Sequence, residues 1–413
     1  MENLTRRQGI ALAAGVVTSM NLPRPANAAG IGKKNNLGLA LIPFTIVNNS
    51  GSGQPVYIYM FGLTKALGNN STYFLSNFNG DLTLLTENKE AKSYSLVMDK
   101  PIIHGFFPQL VGVRIYVSVG KPLRVTVNAD GIPDSVSANN PPPNNVNYDT
   151  LFDFAEVSWT SDPDGVTKLG GNTTQIDSFG LALALERNGF DAARLDTPLT
   201  IINGFDGNTD RANIFKDIKA AGAPWDSLII AHPDSGKPLR ALQPLKAIEN
   251  GLFPEDQMAD YINRVLDHYK SNSMVFRHEL IKYTGRTDSD KRNFAFTAEG
   301  SGATYTIAAP TTRELYANTI KVEPIDGIGH ALAAAMGASF LRTTLIFNAD
   351  VPVEQKNRNE YHFQQPVCVY AKALHKYGIN RHAFAFGYDE VAGDSGNIVV
   401  ANPTLMRLVL LGL

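Results

Sequence analysis

Short strands of alternating character dominate the first third of this chain, and they limit the folds that it can adopt. Val111–Val119 places a β-branched residue at every second position, and Leu123–Val127 follows a similar pattern. Ile42–Val47 and Val56–Phe61 are two further short apolar runs, separated by a cluster of Asn, Ser and Gly. Runs of this length between turn residues predict a β-sandwich or barrel.

The pattern changes after about residue 190. Apolar residues recur at helical spacing in residues 210–221 and 256–269, and a third helical pattern, rich in small residues, covers Gly329–Phe340. Leu228–Ala231 predicts a buried strand among these helices. Three strand patterns then end the chain, at residues 382–387, 397–400 and 406–411. The middle of the chain is therefore of α/β character and lies between two β segments.

These patterns predict a mainly β protein with an α/β part, arranged as two domains. We expect residues 38–190 and 380–413 to form the β domain, and residues 191–379 to form an α/β domain inserted into it. A chain of 413 residues is long enough for both domains to have a core. Because a cleft between two domains is a favoured place for a ligand, we expect the binding site there.

The N-terminal residues have the pattern of an export signal. Arg6-Arg7 precedes an apolar run from Ile10 to Met20, and Ala26-Asn27-Ala28 has the small-x-small form of a cleavage site. The paired arginines favour the twin-arginine route, and the run is too short for a membrane anchor. We therefore predict that residues 1–28 are a signal peptide and that the mature protein is secreted, to the periplasm or the medium, without a membrane partner.

Composition argues against several kinds of partner and chemistry. The net charge of −2, from 37 basic and 39 acidic residues, includes no basic surplus for nucleic acid. Cys368 is the only cysteine, so no intramolecular disulfide can form, and its apolar neighbours predict a buried thiol. His278-Glu279 lacks the second histidine of a zinc helix motif, and no Gly-x-Ser-x-Gly elbow occurs. We expect no metal, no cofactor and no nucleic-acid partner.

Two acids occupy strand faces that begin or end apolar. Alternate residues of a strand share a face, so Glu156 continues the face of Phe154, and Asp177 shares a face with Phe179. The segment between them contains the turn signal Asp162–Gly165. If the two strands form a hairpin, the acids approach each other across it. Trp159 lies on the opposite face from Glu156, where packing in the core is at least as good an interpretation as stacking on a sugar.

Two nearby carboxylates can act as a general acid and a general base, since one in a drier pocket keeps its proton while the other stays ionised. Glycoside hydrolysis uses such a pair, and their separation selects the stereochemistry. From the pattern alone, ordinary exposed acids at strand ends are the simpler interpretation. The turn Asp162–Gly165 also resembles part of a calcium loop but lacks the further ligands at fixed spacing.

The residues around the two acids resemble a known family. Phe154–Ser158 and then Asp177–Leu181 resemble the cleft strands of thaumatin-like proteins. Other matches occur in the same order, at Phe44–Asn49, Arg114–Gly120 and Ala385–Glu390. Plant thaumatin-like proteins are rich in disulfides and lack a large α/β insertion. From about residue 40 onward the chain is therefore more similar to glycoside hydrolase family 64, β-1,3-glucanases with a thaumatin-like β domain and an α/β domain around a wide groove.

The resemblance implies an inverting mechanism in which Glu156 is the general acid and Asp177 the general base. Inversion requires carboxyl groups roughly 6.5–9.5 Å apart. The resemblance also implies substrate-binding residues, namely Arg114, Ser158, Thr160, Asn172, Thr174 and Asp389. Asn172 stands where the thaumatin-like cleft has an aspartate, and Thr174 needs a bulge or twist to face Asp177. Asp389 is a reserve acid, for which a solvated turn is the other interpretation.

We therefore predict a secreted, monomeric, inverting hydrolase that cleaves β-1,3-glucan of the laminarin or curdlan type into short oligosaccharides. One alternative is a non-catalytic thaumatin-like protein that binds β-glucan in an acidic groove without turnover. Another is a structural exported scaffold, which would neither bind nor cleave glucan. A binding assay on insoluble glucan followed by a reducing-sugar assay separates the three.

Overall fold

The computed structural model describes residues 32–64, 71–134, 145–278, 281–290, 292–346, 367–389, 391 and 399–413. The predicted signal peptide, residues 1–28, lies outside them, and so does the beginning of the strand predicted at 397–400.

Within the described residues the chain forms twenty-two strands and six α-helices. The strands are β1 (Leu41–Asn48), β2 (Val56–Leu63), β3 (Thr72–Leu75), β4 (Leu82–Leu84), β5 (Asn88–Lys92), β6 (Leu96–Val97), β7 (Ile102–Pro108), β8 (Val111–Val119), β9 (Val125–Val127), β10 (Leu151–Ser161), β11 (Thr167–Thr173), β12 (Ser178–Phe179), β13 (Leu183–Asp191), β14 (Arg194–Gly204), β15 (Ile229–Ala231), β16 (Pro238–Leu242), β17 (Met274–His278), β18 (Ile281–Thr287), β19 (Asn293–Ala298), β20 (Thr304–Ala308), β21 (Val322–Glu323) and β22 (Val400–Leu410). The helices are α1 (Arg211–Ala220), α2 (Pro244–Glu249), α3 (Ala259–Ser271), α4 (Thr312–Ala317), α5 (Gly327–Leu341) and α6 (Val369–Tyr377).

Twelve of the strands form one large sheet. It runs in the order β14-β13-β22-β11-β10-β8-β2-β3-β4, with antiparallel neighbours throughout. The strand β22 pairs with β11 through its first residues and with β1, in parallel, through its last ones. The strand β7 extends the sheet beyond β1, and β6 pairs with β2. Because β22 is shared in this way, the sheet curls and has two leaves, one with β10, β8 and β2 and one with β13, β22 and β1.

The two leaves enclose an apolar core. Alternate residues of each strand point into it, among them Val113 and Ile115 from β8 and Leu183 and Leu185 from β13, all without exposed surface. Burying a side chain of this size contributes about 1.5–3 kcal/mol. The prediction of a mainly β protein from alternating apolar strands is confirmed.

The opposite face of the leaf with β10, β8 and β2 changes character along the strands. One end carries a smaller aromatic cluster, formed by Tyr59, Phe61, Tyr116, Phe152 and Phe154. Farther along β10, Glu156 and Ser158 are half-buried and Thr160 is exposed. The predicted change from an apolar to a polar face is therefore confirmed on β10.

The strands β5 and β9 form a two-stranded ladder, and Val125 and Val127 of β9 pack on the aromatic cluster of the first leaf. The other strands and the helices pack on the second leaf. β12, β16 and β15 form one small sheet, and β17 to β21 form an antiparallel sheet of five strands in chain order. A third apolar cluster fills the space between these sheets, the helices and residues of the large sheet such as Ala184 and Val409. The helices predicted at 210–221, 256–269 and 329–340 are α1, α3 and α5. At the start of α1, the side chain of Asp210 accepts a hydrogen bond from the backbone N–H of Ala212, which caps the helix.

Two strand predictions are wrong. Residues 382–387 form no strand, because their backbone bonds to separate segments: Phe384 O accepts from the N–H of Gln175, and the N–H of Ala385 donates to Asp389. The strand that follows the hairpin turn ends at Thr173, and β12 belongs to another sheet. The strand β14 extends the large sheet past the predicted boundary at residue 191, and the division into domains stays a prediction.

Candidate active site

Glu156 lies in a row of side chains that crosses three strands on one face of the sheet. In the register of the sheet, Glu156 on β10 stands opposite Arg114 on β8 and opposite Asn172 on β11. Side chains directly opposite each other on neighbouring strands are close enough to interact. The structure therefore brings together three residues that the sequence assigned to the site.

Arg114 holds one oxygen of the Glu156 carboxylate. Its Nε donates to Glu156 Oε1 at 3.0 Å, with the two side chains 39% and 34% exposed. The guanidinium carbon lies 5.1 Å from the centre of the Phe154 ring, and the guanidinium interacts electrostatically with the Tyr116 hydroxyl. Burial by itself would lower the pKa of Arg114, but Tyr116 and Glu156 outweigh it and the pKa is raised. The contacts on both sides leave the guanidinium little freedom to rotate.

Asp177 lies beyond the hairpin, between the ends of β11 and β12. Its carbonyl accepts from the N–H of Gln243 at 3.0 Å, and Lys246 Nζ lies 3.9 Å from Asp177 Oδ1. The opposite partner of Glu156 on β11 is Asn172, so the two acids do not face each other across the hairpin as predicted.

Tyr116 connects the surroundings of the two acids. Burial raises the pKa of its hydroxyl, and the negative charges of Glu156 and Asp177 raise it further, whereas Arg114 lowers it. Both carboxylates therefore interact electrostatically with the same hydroxyl. Tyr116 and Lys246 were not predicted as parts of this site, although Tyr116 is on the same strand face as Arg114.

A buried acid fastens β10 to the segment that carries Asp177. Asp153 Oδ1 accepts from its neighbour Phe154 N at 2.9 Å, and Oδ2 accepts from Gly180 N at 2.9 Å and Leu181 N at 3.2 Å. Burial raises the pKa of Asp153 to about 7 despite these donors. Only glycine fits at Gly180, because a Cβ there would lie 2.3 Å from a backbone oxygen of β10. The sequence signal, an acid between Phe152 and Phe154, was present but not used.

The other predicted site residues differ in their access to solvent. Ser158 Oγ accepts from Gly112 N at 2.9 Å, and Thr160 is exposed two residues farther along the same face. Asn172 is 6% exposed, and its Oδ1 has no hydrogen-bond partner in the described part of the chain. Thr174 has no exposed surface, and its hydroxyl likewise has no partner there.

The prediction of a solvated turn at Asp389 is wrong. Its side chain has no exposed surface, because both carboxylate oxygens bond inside the protein. Oδ1 accepts from Arg342 at 3.0 Å, and Oδ2 accepts from His375 and from the backbone of Ala385, both at 2.8 Å. This geometry leaves Asp389 no surface for direct contact with a ligand.

For Trp159 the structure selects the core-packing interpretation, and the prediction of a buried thiol at Cys368 is confirmed. Trp159 is buried in the core between the leaves and stacks on Phe107, with ring centroids 6.4 Å apart. Cys368 is a buried free thiol, and burial raises its pKa to about 12. Across the described ranges, no cluster of His, Cys, Asp and Glu has a geometry that could hold a metal ion, and no helix is long and apolar enough to cross a membrane.

Residues 40–410 match the family model described as beta-1,3-glucanase, glycoside hydrolase family 64. The chain belongs to this family. Among the curated relatives of this family 64 chain are the glucan endo-1,3-β-glucosidases of Cellulosimicrobium cellulans and of Arthrobacter sp. (strain YCWD3). Each is 26% identical over 418 residues, which cover 97% of this chain and 70% of the relative. The predicted family and the predicted class of enzyme, a glycoside hydrolase, are confirmed.

Solved structures of family 64 share the fold. One is a laminaripentaose-producing β-1,3-glucanase in complex with laminaritetraose, with a TM-score of 0.74 and 24% identity over 90% of this chain and 99% of that chain. Another is a β-1,3-glucanase domain from Clostridium beijerinckii, with a TM-score of 0.70 and 22% identity over 90% of this chain and 98% of that one. The mainly β architecture is therefore that of family 64.

Proposed function

We propose that this chain hydrolyses β-1,3-glucan of the laminarin or curdlan type into short oligosaccharides with inversion at the anomeric carbon. The observation that carries the proposal is the placement of Glu156, held by Arg114 at 3.0 Å on the polar part of the β10 face, in a family 64 chain. The names of the curated relatives and of the solved laminaritetraose complex support the choice of substrate.

Glu156 is the proposed general acid. It gives its proton to the glycosidic oxygen while the bond from that oxygen to the anomeric carbon breaks. Arg114 binds Oε1, and Oε2 accepts no hydrogen bond from the described residues. Oε2 is therefore the oxygen that we assign to the proton. The fixed guanidinium gives the carboxyl group one orientation, which reduces the entropy lost on reaching the transition state.

Asp177 is the proposed general base. It takes a proton from a water molecule that attacks the anomeric carbon on the face opposite the leaving oxygen, so the configuration inverts. Its backbone is held through Gln243, and the ammonium of Lys246 lies next to its carboxylate. The position of Asp177 outside the hairpin supports this role, because room for a water molecule requires the two carboxyl groups to stand apart.

The groove residues divide by exposure. We assign sugar contacts to Arg114, Ser158 and Thr160, which are accessible on the face of Glu156, and none to Asn172, whose Oδ1 is buried. Arginine and hydroxyl groups can both bond to the hydroxyls of a neutral sugar. Thr174 and Asp389 have no exposed surface, so we assign them no direct contact.

The same proposal covers architecture and location. A thaumatin-like β domain, residues 38–190 and 380–413, would face an inserted α/β domain across a wide groove, and the mature monomer would be exported after removal of residues 1–28. The separate apolar clusters of the large sheet and of the helical part support two domains. Because β14 continues the large sheet, we extend the first β segment from residue 190 to Gly204 and start the α/β domain after it.

The replacement Glu156→Gln tests the assignment. It keeps the shape of the side chain but removes the transferable proton, so kcat on laminarin should fall by at least about 100-fold while glucan binding and thermal unfolding stay close to those of the parent. Glu255→Gln, at an exposed glutamate paired with Arg313, is the control that should retain activity. NMR of the first products should show the α-anomer. Substantial hydrolysis by Glu156→Gln, or a β-anomer as first product, contradicts the proposal.

A further inference from the structure

A pocket of about 350 Å³ opens on the same face of the sheet as Glu156 but three strands away. Its floor includes Phe74 on β3, which stands opposite Phe61 on β2. Phe61 stands opposite Arg114 on β8, and Arg114 stands opposite Glu156 on β10. The pocket and the acid are therefore two ends of one cross-strand row. With strands about 4.8 Å apart, the separation is about 14 Å.

Aromatic contacts connect the pocket to the site. The Tyr94 ring lies 5.0 Å from Phe74 and 5.9 Å from Phe61, with both pairs edge to face. The ring centroids of Phe61 and Tyr116 lie 6.3 Å apart, and the Tyr116 hydroxyl interacts electrostatically with the arginine that holds Glu156. Interlocked aromatic rings of this kind are held firmly in place. The pocket therefore has a fixed position relative to the catalytic acid.

The lining of the pocket suits a neutral sugar. Phe74 and Tyr94 provide aromatic surface, and Ser76, Ser93 and Ser95 provide hydroxyl groups. The one charged residue in the lining is Lys92, whose ammonium lies 5.1 Å from the centre of the Tyr94 ring. A pyranose ring presents an apolar C–H face and a rim of hydroxyls, which match aromatic surface and serine hydroxyls respectively.

We propose that this pocket is a distal binding site for the same glucan chain that is cleaved at Glu156. A sugar unit would rest on Phe74 and Tyr94 and bond to the serine hydroxyls, so only a chain long enough to span from Glu156 would occupy both places. The pocket would then make affinity depend on chain length. This inference rests on the proposed function, because the substrate is the same.

The test compares the binding of a long and a short oligosaccharide to the same catalytically inactive variant. Isothermal titration calorimetry with the full chain carrying Glu156→Gln would give the Kd of laminarihexaose and of laminaritriose, before and after Phe74→Ala. The inference expects the ratio of affinities, hexaose to triose, to fall about tenfold, which corresponds to about 1.4 kcal/mol. Phe106→Ala is the control, since Phe106 is a half-buried phenylalanine on β7 and should leave the ratio unchanged.

A second variant tests the inference even if Phe74→Ala does not fold. Ser95→Phe fills the pocket from a residue just before β6 and should also lower the ratio. An unchanged ratio in both Phe74→Ala and Ser95→Phe overturns the inference.

A separate assay of laminarin hydrolysis by the unaltered chain tests the proposed function on its own. If the chain hydrolyses laminarin but the ratio of hexaose to triose affinity stays unchanged in the variants, only the distal site is contradicted. If the ratio falls but the chain does not hydrolyse laminarin, the distal site is supported and the proposed catalysis is contradicted. A chain that neither binds nor cleaves the glucan contradicts both.

Discussion

Arg114 determines the orientation of the proposed acid more directly than any other described residue. It is the partner of Glu156 Oε1, and its guanidinium is confined by the Phe154 ring on one side and the Tyr116 hydroxyl on another. The planar guanidinium can make these contacts together, whereas an ammonium group cannot reproduce their directions. A replacement that keeps the positive charge but not the planar shape should therefore still reduce activity.

Arg114→Lys should reduce kcat on laminarin by about 10- to 100-fold, the effect of losing a charged hydrogen bond worth about 1.5–3 kcal/mol. The melting temperature should change little, because the ion pair is more than one-third exposed and contributes little to stability. Kinetics with both enzymes on laminarin, together with thermal unfolding, measure this. Arg194→Lys, at an exposed arginine that pairs with Asp191, is the control for the charge-conserving change. An active Arg114→Lys enzyme would show that the guanidinium geometry is unimportant.

At the scale of elements, the hydrogen bonds between β10 and the residues after β12 determine where Asp177 lies relative to Glu156. Glu156 is fixed by the register of β10, but Asp177 lies in a connection between two different sheets. Asp153 joins the two, because it sits on β10 and accepts the backbone N–H groups of Gly180 and Leu181. A change at Asp153 should therefore act on Asp177 from a distance.

Asp153→Asn should lower the free energy of unfolding by about 1–3 kcal/mol, because the amide group cannot accept all three backbone N–H groups and leaves a buried donor unsatisfied. Urea denaturation measures this. The matched control is Asp149→Asn, four residues earlier, where the acid forms a partly exposed pair with Lys121 and the cost should be below about 1 kcal/mol. If both changes lower the free energy of unfolding equally, the buried hydrogen bonds of Asp153 contribute no more stability than an exposed ion pair.

The elements that were predicted correctly are those with a local signal. Short apolar runs between turn residues identified β1 and β2, alternation identified β8, and helical spacing identified α1, α3 and α5. The segments around Gln175 and Phe384 were misassigned because they bond to each other, about 200 residues apart in sequence, rather than to a neighbouring strand. Local pattern contains no information about such partners.

The candidate site shows the same division. Glu156 and Arg114 lie on regular strands, so alternation together with the family resemblance was enough to place them on one face. Asp177 was assigned to a strand that it does not occupy, and Lys246 reaches it from α2, which belongs to another part of the chain. Long-range packing decides such contacts, and one sequence does not show it.

At the scale of the whole molecule, a buried cluster of charged residues is bonded to the segment that carries Asp177. Asp389 lies in the loop after α6 and bonds to Arg342, at the end of α5, and to His375 in α6. The same loop accepts the N–H of Gln175, two residues before Asp177. Asp389 was predicted as a groove residue, and it instead connects two helices to the segment that carries the proposed base.

The hydrogen bonds of this cluster favour a charged histidine. His375 Nε2 lies 2.8 Å from Asp389 Oδ2, and Nδ1 lies 2.8 Å from the carbonyl oxygen of Arg381, so both ring nitrogens face acceptors. Burial and the guanidinium of Arg342 act to lower the pKa of His375, but Asp389 and the carbonyl outweigh them and the pKa is raised. Burial would raise the pKa of Asp389, but His375 and Arg342 outweigh it and the pKa is lowered.

These two shifts predict how the stability of the protein depends on pH. The raised pKa of His375 contributes stability below its unfolded value of 6.5, and this contribution is lost as pH rises through the folded pKa. The lowered pKa of Asp389 contributes above 3.8 and is lost as pH falls through its folded pKa. The cluster therefore stabilises the protein most between these values. Above pH 6.5 the histidine should reduce the free energy of unfolding with a slope of at most about 1.4 kcal/mol per pH unit, the limit for one proton.

Urea denaturation of the full chain between pH 5 and 8 measures this slope in the parent and in His375→Gln. The replacement has no titrating proton, so the unfolding free energy should be lower near pH 6 and should fall less steeply above it. His104→Gln, at an exposed histidine on β7, is the control that should keep the slope of the parent. If His375→Gln keeps the full slope, another group causes the pH dependence. If the slope flattens, the charge on His375 stabilises the contact between α5 and α6 that runs through Asp389.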